Sequence, residues 1–158
     1  MATTKKTPSK ARKGLPSRHK SRHRAVQILY QSDVRQIPIN EAIESFYESL
    51  YSEENEEQPA RDTFMEELVR GTKEQTPEID KRIQEHSEHW RLERMPAVER
   101  NVLRLAIYEL MIGKTPAPVV IDEALDISRR FAGDESVSFV NGVLDAIRKK
   151  FPPDPSST

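Results

Sequence analysis

Four fixed positive charges and two imidazoles fall within eight residues of this chain: Arg18, Lys20, Arg22 and Arg24, interleaved with His19 and His23, in the stretch SRHKSRHR that opens at Ser17. Guanidinium and ammonium groups at this density are the chemistry of phosphate binding. The residues that follow, Ala25 to Tyr30, are mostly apolar. The net charge of −1 says little about partners. Its distribution says more. Nine of the 25 Lys/Arg fall in residues 1–24, which hold none of the 26 Asp/Glu, so the remainder carries 16 basic against 26 acidic side chains, a balance of −10. A basic arm on an acidic body points to nucleic acid; the competing reading is a solubilising tail.

Other reactive groups are sparse. The chain has no phosphate-cradling glycine loop, no CxxC pair and no GxSxG elbow, so it reads as a non-enzyme without a cofactor. His86 and His89, in HSEH, share one helix face and are a conceivable metal pair. With no cysteine in the chain and no further histidine nearby, a solvated polar face is the better reading, and no metal site is assigned. Glu109 points between Val98, Val102 and Leu105 on an apolar helix, where a carboxylate must be paired or hydrogen-bonded. It is expected to serve structure rather than catalysis, accepting amide hydrogens from a helix start near Val119–Ile121. Phe139 lies off the centre of the stripe formed by Val137, Val140 and Leu144, within a turn of Asp134, Glu135 and Ser138. An aromatic ring beside polar acceptors suits stacking on unpaired RNA bases, the alternative being an ordinary core phenylalanine.

The elements that must position these groups are helical. Alternating strand patterns are absent and there are only five glycines. A helix from about Ser17 gathers Ala25, Val26, Ile28 and Leu29 on one side, with Arg18 and Arg22 on that same side one and two turns earlier, where the charges are expected to face a ligand. Further helices are predicted over about 39–52, 60–74 and from Pro77. Residues 96–113 are apolar nearly all round, which marks a central strut buried on most sides. A sixth helix is bounded by Pro118 and Gly133, and a seventh is capped by Asp134. Gly142 within it costs about 1 kcal/mol against alanine, which suggests another backbone passing close by. Residues 1–16 are expected to be a disordered basic arm. The stretch SEENEEQP, residues 52–59, reads as an acidic connector, and 151–158 as a proline-rich tail. No apolar run approaches the ~20 residues that span a bilayer, and the N-terminus lacks the apolar stretch of a signal peptide. The absence of cysteine fits a cytoplasmic location.

Three stretches, RHRAVQILYQSDV, VERNVLRLAIYEL and VVIDEALDISRRFAGDESVSFVNGVLDAI, together resemble the signature segments of the NusB family of bacterial transcription antitermination factors. FMEELVRGT and IDKRI also fit, in order and spacing, so the resemblance spans roughly residues 17–148. LRLAIYEL and FVNGVLD are its most specific parts. Either alone is also similar to the RNA-binding domain fused to some rRNA cytosine methyltransferases, but that enzyme needs a cofactor-binding α/β domain downstream and this chain stops at Thr158.

The resemblance implies an all-α fold of about seven helices in two packed subdomains, with residues 17–150 as the RNA-binding domain. It implies binding of the boxA element of ribosomal RNA leader transcripts together with NusE, a small-subunit ribosomal protein, and assembly with other Nus factors on RNA polymerase. Position by position, it implies RNA contact by Arg18, His19, Lys20 and Arg22, base stacking by Phe139 and a base-edge acceptor at Glu135. One of these positions, usually basic in the family, is His19 here. Tyr30, Glu93 and Glu99 match positions near the NusE-facing surface. A homodimer that masks the RNA face is possible, and a protein–protein adaptor with an incidental basic tail stays open as the alternative function.

Overall fold

The first helix starts where the sequence supplies a cap. Ser17 Oγ accepts the Lys20 amide at 3.1 Å, satisfying one of the orphan donors of the first turn, and α1 runs Arg18–Arg35. The computed structural model describes residues 16–54, 60–86 and 91–151. Almost all of the basic arm and the C-terminal tail, part of the acidic connector, and His89 lie outside the described residues. α1 closes on Gln36, a left-handed residue (φ 55°) whose amide reaches Ser32 O.

Six more α-helices follow among the described residues: α2 Ile39–Glu54, α3 Thr63–Glu74, α4 Thr76–His86, α5 Ala97–Ile112, α6 Ala117–Ala132 and α7 Asp134–Arg148. A single 3₁₀ turn, Leu92–Arg94, precedes α5, and the periodicity gives no sign of so short an element. Asp62 caps α3 by accepting the Met65 amide at 3.0 Å, and it also accepts Ser21 Oγ at 2.8 Å, which ties α1 to the start of α3. Gly113 ends α5 in the left-handed region (φ 67°), as a C-terminal glycine does. α6 and α7 are separated by Gly133 alone (φ 95°), so the cap of α7 is this glycine and Asp134 is already helical.

The helices form two packed groups. α1, α2 and α3 pack on one another, α4–α7 pack on one another, and α1 bridges the groups by lying on α5. As its all-round apolar surface requires, α5 buries Val102, Leu103, Leu105, Ala106 and Ile107. In α2 the inward position is Tyr47, buried more deeply than Phe46 or Leu50. Its hydroxyl donates to Glu66 Oε2 and accepts the Asp62 amide, each at 2.7 Å, so the ring is satisfied at both its apolar and polar ends.

The glycine pattern corrects one expectation. Among the described residues, a Cβ at Gly142 would meet nothing within 4 Å, so none of their backbone passes close by. The tight glycine is Gly71 in α3, where a Cβ would fall 2.1 Å from the Tyr108 ring of α5. No described helix is long and apolar enough to cross a membrane.

Candidate nucleic-acid interface

The first two turns of α1 present their charged side chains on different flanks, because successive residues on a helix are about 100° apart. Arg18 and Arg22 share one flank. Arg18 is exposed, with its guanidinium 4.3 Å from the centre of the Phe64 ring on α3. Arg22 is buried. Its Nε and Nη2 donate to the two Glu109 oxygens, each at 2.8 Å, and the side chains are only 5% and 4% exposed. Glu109 holds the guanidinium above its ordinary pKa in spite of the burial that opposes it.

Two expectations are therefore corrected. Arg22 does not hold its charge toward a ligand: it is the buried counter-ion of Glu109. Glu109 in turn takes its hydrogen bonds from Arg22 rather than from amides near Val119–Ile121. A charge on an otherwise apolar stripe reads from sequence as facing out; a complementary charge on the facing helix is the other solution, and that pairing is not visible within either helix.

The second flank carries Ser21 and Arg24, both directed to Asp62, with Arg24 Nη1 at 3.5 Å from its carboxylate. The third carries His19 and His23, their ring centres 4.4 Å apart and their planes tilted by 56°, against α6. His19 Nδ1 lies 2.6 Å from Glu123 Oε2, and its Nε2 lies 3.3 Å from Asp126 Oδ2. His23 Nε2 faces the same Asp126 oxygen at 3.6 Å. Burial, with His19 and Arg130 nearby, pushes the His23 imidazole below its ordinary pKa against the pull of Asp126. Lys20 is exposed.

Beyond this tip, the His23 ring lies 5.6 Å from that of Phe131 near the end of α6, and α7 begins just past Gly133. At the start of α7, Glu135 is exposed, and Phe139 is half-buried with its ring packed on the core. Glu135, Phe139 and Gly142 follow one another at helical spacing along one face, and the space beside Gly142 is open. His19 neighbours His23, and His23 neighbours Phe131 two residues before Gly133, whereas Arg18 leans the other way, onto α3.

Of the residues matched to a protein-partner surface, Tyr30 is half-buried on α1, Glu93 is exposed on the 3₁₀ turn and Glu99 is half-buried at the start of α5. Glu93 lines an open cleft with Asp33, Asp80, Arg100 and Arg104. There Arg100 Nε donates to Asp33 at 2.9 Å, Asn101 Nδ2 donates to the same oxygen at 3.0 Å, and Arg104 Nε donates to Asp80 at 2.8 Å. Burial pushes Asp33 up, but the Arg100 and Asn101 hydrogen bonds and the nearby Arg104 more than offset it and hold the carboxyl below its ordinary pKa.

Sequence reasoning missed this cluster and the grouping of His23, Glu123 and Asp126 with His19. His19 and His23 carry a visible i,i+4 signal, but Glu123 lies 104 positions further along the chain from His19.

The NusB family model matches residues 19–149. The transcription antitermination protein NusB of Solibacter usitatus is 56% identical over 138 residues, covering 87% of this chain and 92% of that protein. A solved structure of T. maritima NusB superposes with a TM-score of 0.74 at 34% identity, over 87% of this chain and 94% of that one. A crystal structure of antitermination factors NusB and NusE in complex with dsRNA contains a chain that matches with a TM-score of 0.72 at 29% identity, over 85% of this chain and 97% of that one.

Proposed function

The chain belongs to the NusB family, and from that membership we propose that this antitermination factor binds single-stranded boxA RNA of ribosomal RNA leader transcripts jointly with NusE. The pair then joins other Nus factors on RNA polymerase. Residues 17–150 are the RNA-binding unit in this reading, with the basic arm adding sequence-independent attraction.

One observation carries the proposal. The cationic tip of α1 is held in a fixed orientation by the buried Arg22–Glu109 pair, while Arg18, His19 and Lys20 stay exposed on an otherwise acidic body. Fixed charges place the phosphates, and the negative remainder discourages binding elsewhere. Base preference comes from the second patch: Phe139 stacks on a base, Glu135 accepts from a base edge, and the open space beside Gly142 lets the strand come near. Arg22 acts here as a positioning residue. Tyr30, Glu93 and Glu99 form the NusE side of the reading.

The test is filter binding of boxA-like and scrambled single-stranded RNA across salt concentrations, with and without NusE. The boxA-like strand is expected to bind more tightly, and NusE to tighten it further. Phe139→Ala is expected to cost about 1–3 kcal/mol, chiefly on the boxA-like strand. Equal weakening of both strands by Phe139→Ala, or affinities indifferent to NusE, sinks the reading.

A further inference from the structure

His19 and His23 on α1 and Asp126 on α6 each offer one ligand atom, and the three atoms lie within 4.8 Å of one another. We propose that these residues form a binding site for a divalent transition metal of the zinc class, oriented by Glu123. The inference does not depend on the RNA reading.

The distances fit a shared ion better than they fit hydrogen bonds. Two ligands on a tetrahedral zinc ion, with bonds of about 2.0–2.1 Å, stand about 3.4 Å apart. The separations from Asp126 Oδ2 are 3.3 Å to His19 Nε2 and 3.6 Å to His23 Nε2. Good hydrogen bonds between such groups are about 2.7–2.9 Å long.

The surroundings are those of a ligand set. Glu123 Oε2 lies 2.6 Å from His19 Nδ1, the outer carboxylate that fixes a ligating imidazole's tautomer and turns its other nitrogen toward the metal. His23 Nε2 is buried, on a side chain only 10% exposed, and makes no hydrogen bond. A buried nitrogen aimed at a carboxylate without bonding it calls for an explanation, and a cation between the two supplies one. Glu123 and Asp126 bring two negative charges; Arg130 faces His23, and Arg22, already paired with Glu109, lies near Glu123. Asp126 and His19 are each 49% exposed, so the ion has an open side where water takes the fourth position.

The experiment titrates Zn²⁺ alone into the untagged full chain, stripped with chelator, by calorimetry, and repeats it with Co²⁺ by visible absorption. One saturable equivalent is expected, with a higher Tm and a tetrahedral cobalt spectrum. His19→Ala and Asp126→Asn, at exposed positions that leave folding intact, each abolish the spectrum. Glu123→Gln weakens binding by about 10–100-fold. Joint replacement of His86 and His89 by alanine changes nothing. The proposal is overturned by the absence of a saturable equivalent, by binding that survives Asp126→Asn, or by binding lost with His86 and His89.

Discussion

α1 is tied to α5 at both of its ends, and the two ties are built differently. Near the α1 start, Arg22 meets Glu109 in a single bidentate pair sealed from solvent, 5% and 4% exposed. Near its end, Asp33 accepts from Arg100 and Asn101 and stands 3.5 Å from Arg104, which in turn donates to Asp80, with side chains 14–25% exposed. The same residue types do different work in the two places. At the sealed end each charge leans chiefly on the other, with a long 3.4 Å hydrogen bond from Arg22 Nη2 to Thr115 Oγ1 and the Phe64 ring 5.2 Å away beside them, so losing either partner leaves the other buried with little to replace it. At the open end one carboxylate is shared among several donors and solvent, so losses are spread. The contrast explains why the candidate RNA tip sits at the sealed end: exposed cations need a rigid root to present them at fixed places.

The sharpest way to break this comparison is to remove one member of the sealed pair. Arg22→Ala or Glu109→Gln is expected to cost about 3–5 kcal/mol in urea unfolding, because the remaining group is left buried without its counter-charge. Replacing both at once, Arg22→Met with Glu109→Leu, is expected to cost less than either single change. A loss under about 1 kcal/mol from the single variants means the pair is not sealed in solution.

At the open end the effect is smaller and depends on conditions. Asp33→Asn is expected to cost about 1–2 kcal/mol at neutral pH. Asp33 is held below its ordinary pKa in the folded chain, so its contribution is present above the unfolded value of about 4 and is lost as pH falls through the folded one. The gap between Asp33→Asn and the parent chain therefore narrows on acidification below about pH 4. Salt at about 1 M also narrows it, while leaving the Arg22 effect nearly unchanged, since partly exposed charges are screened and buried ones are not. Equal salt sensitivity at the two ends removes the distinction.

What the sequence could and could not announce follows the same division. Helices with strong local signals are legible: the start of α1 near Ser17, the apolar circumference of α5, and the Pro118 and Gly133 boundaries of α6. Glu109 was recognisable as a buried carboxylate in need of a partner, but its partner was not, because Arg22 lies 87 positions away on another helix. Asp33, Arg100 and Arg104 look like ordinary surface charges on their own helices, and only the antiparallel contact of α1 with α5 makes them a cluster. Gly142 reads from sequence as a packing glycine, whereas the crowded one is Gly71, since sequence records that a Cβ is missing and not what stands opposite. The candidate site was legible as residue types through its family resemblance; the assignment of each charge to a flank of α1 needed coordinates.

The smallest expected effect sharpens the comparison from the outside. Lys20 lies on the same turns of α1 as Arg22 but is exposed. If the sealed end separates support from recognition, Lys20→Ala leaves the Tm unchanged while the slope of log affinity for RNA against log salt falls by about one unit, the signature of one lost phosphate contact. The weakening is the same for boxA-like and scrambled strands, because a phosphate contact carries no base information. Filter binding at several salt concentrations, with a thermal melt of the same preparation, reads both quantities. A falling Tm with an unaltered salt slope puts Lys20 with the supports, and the division of labour at this end of α1 then lies elsewhere than between buried and exposed cations.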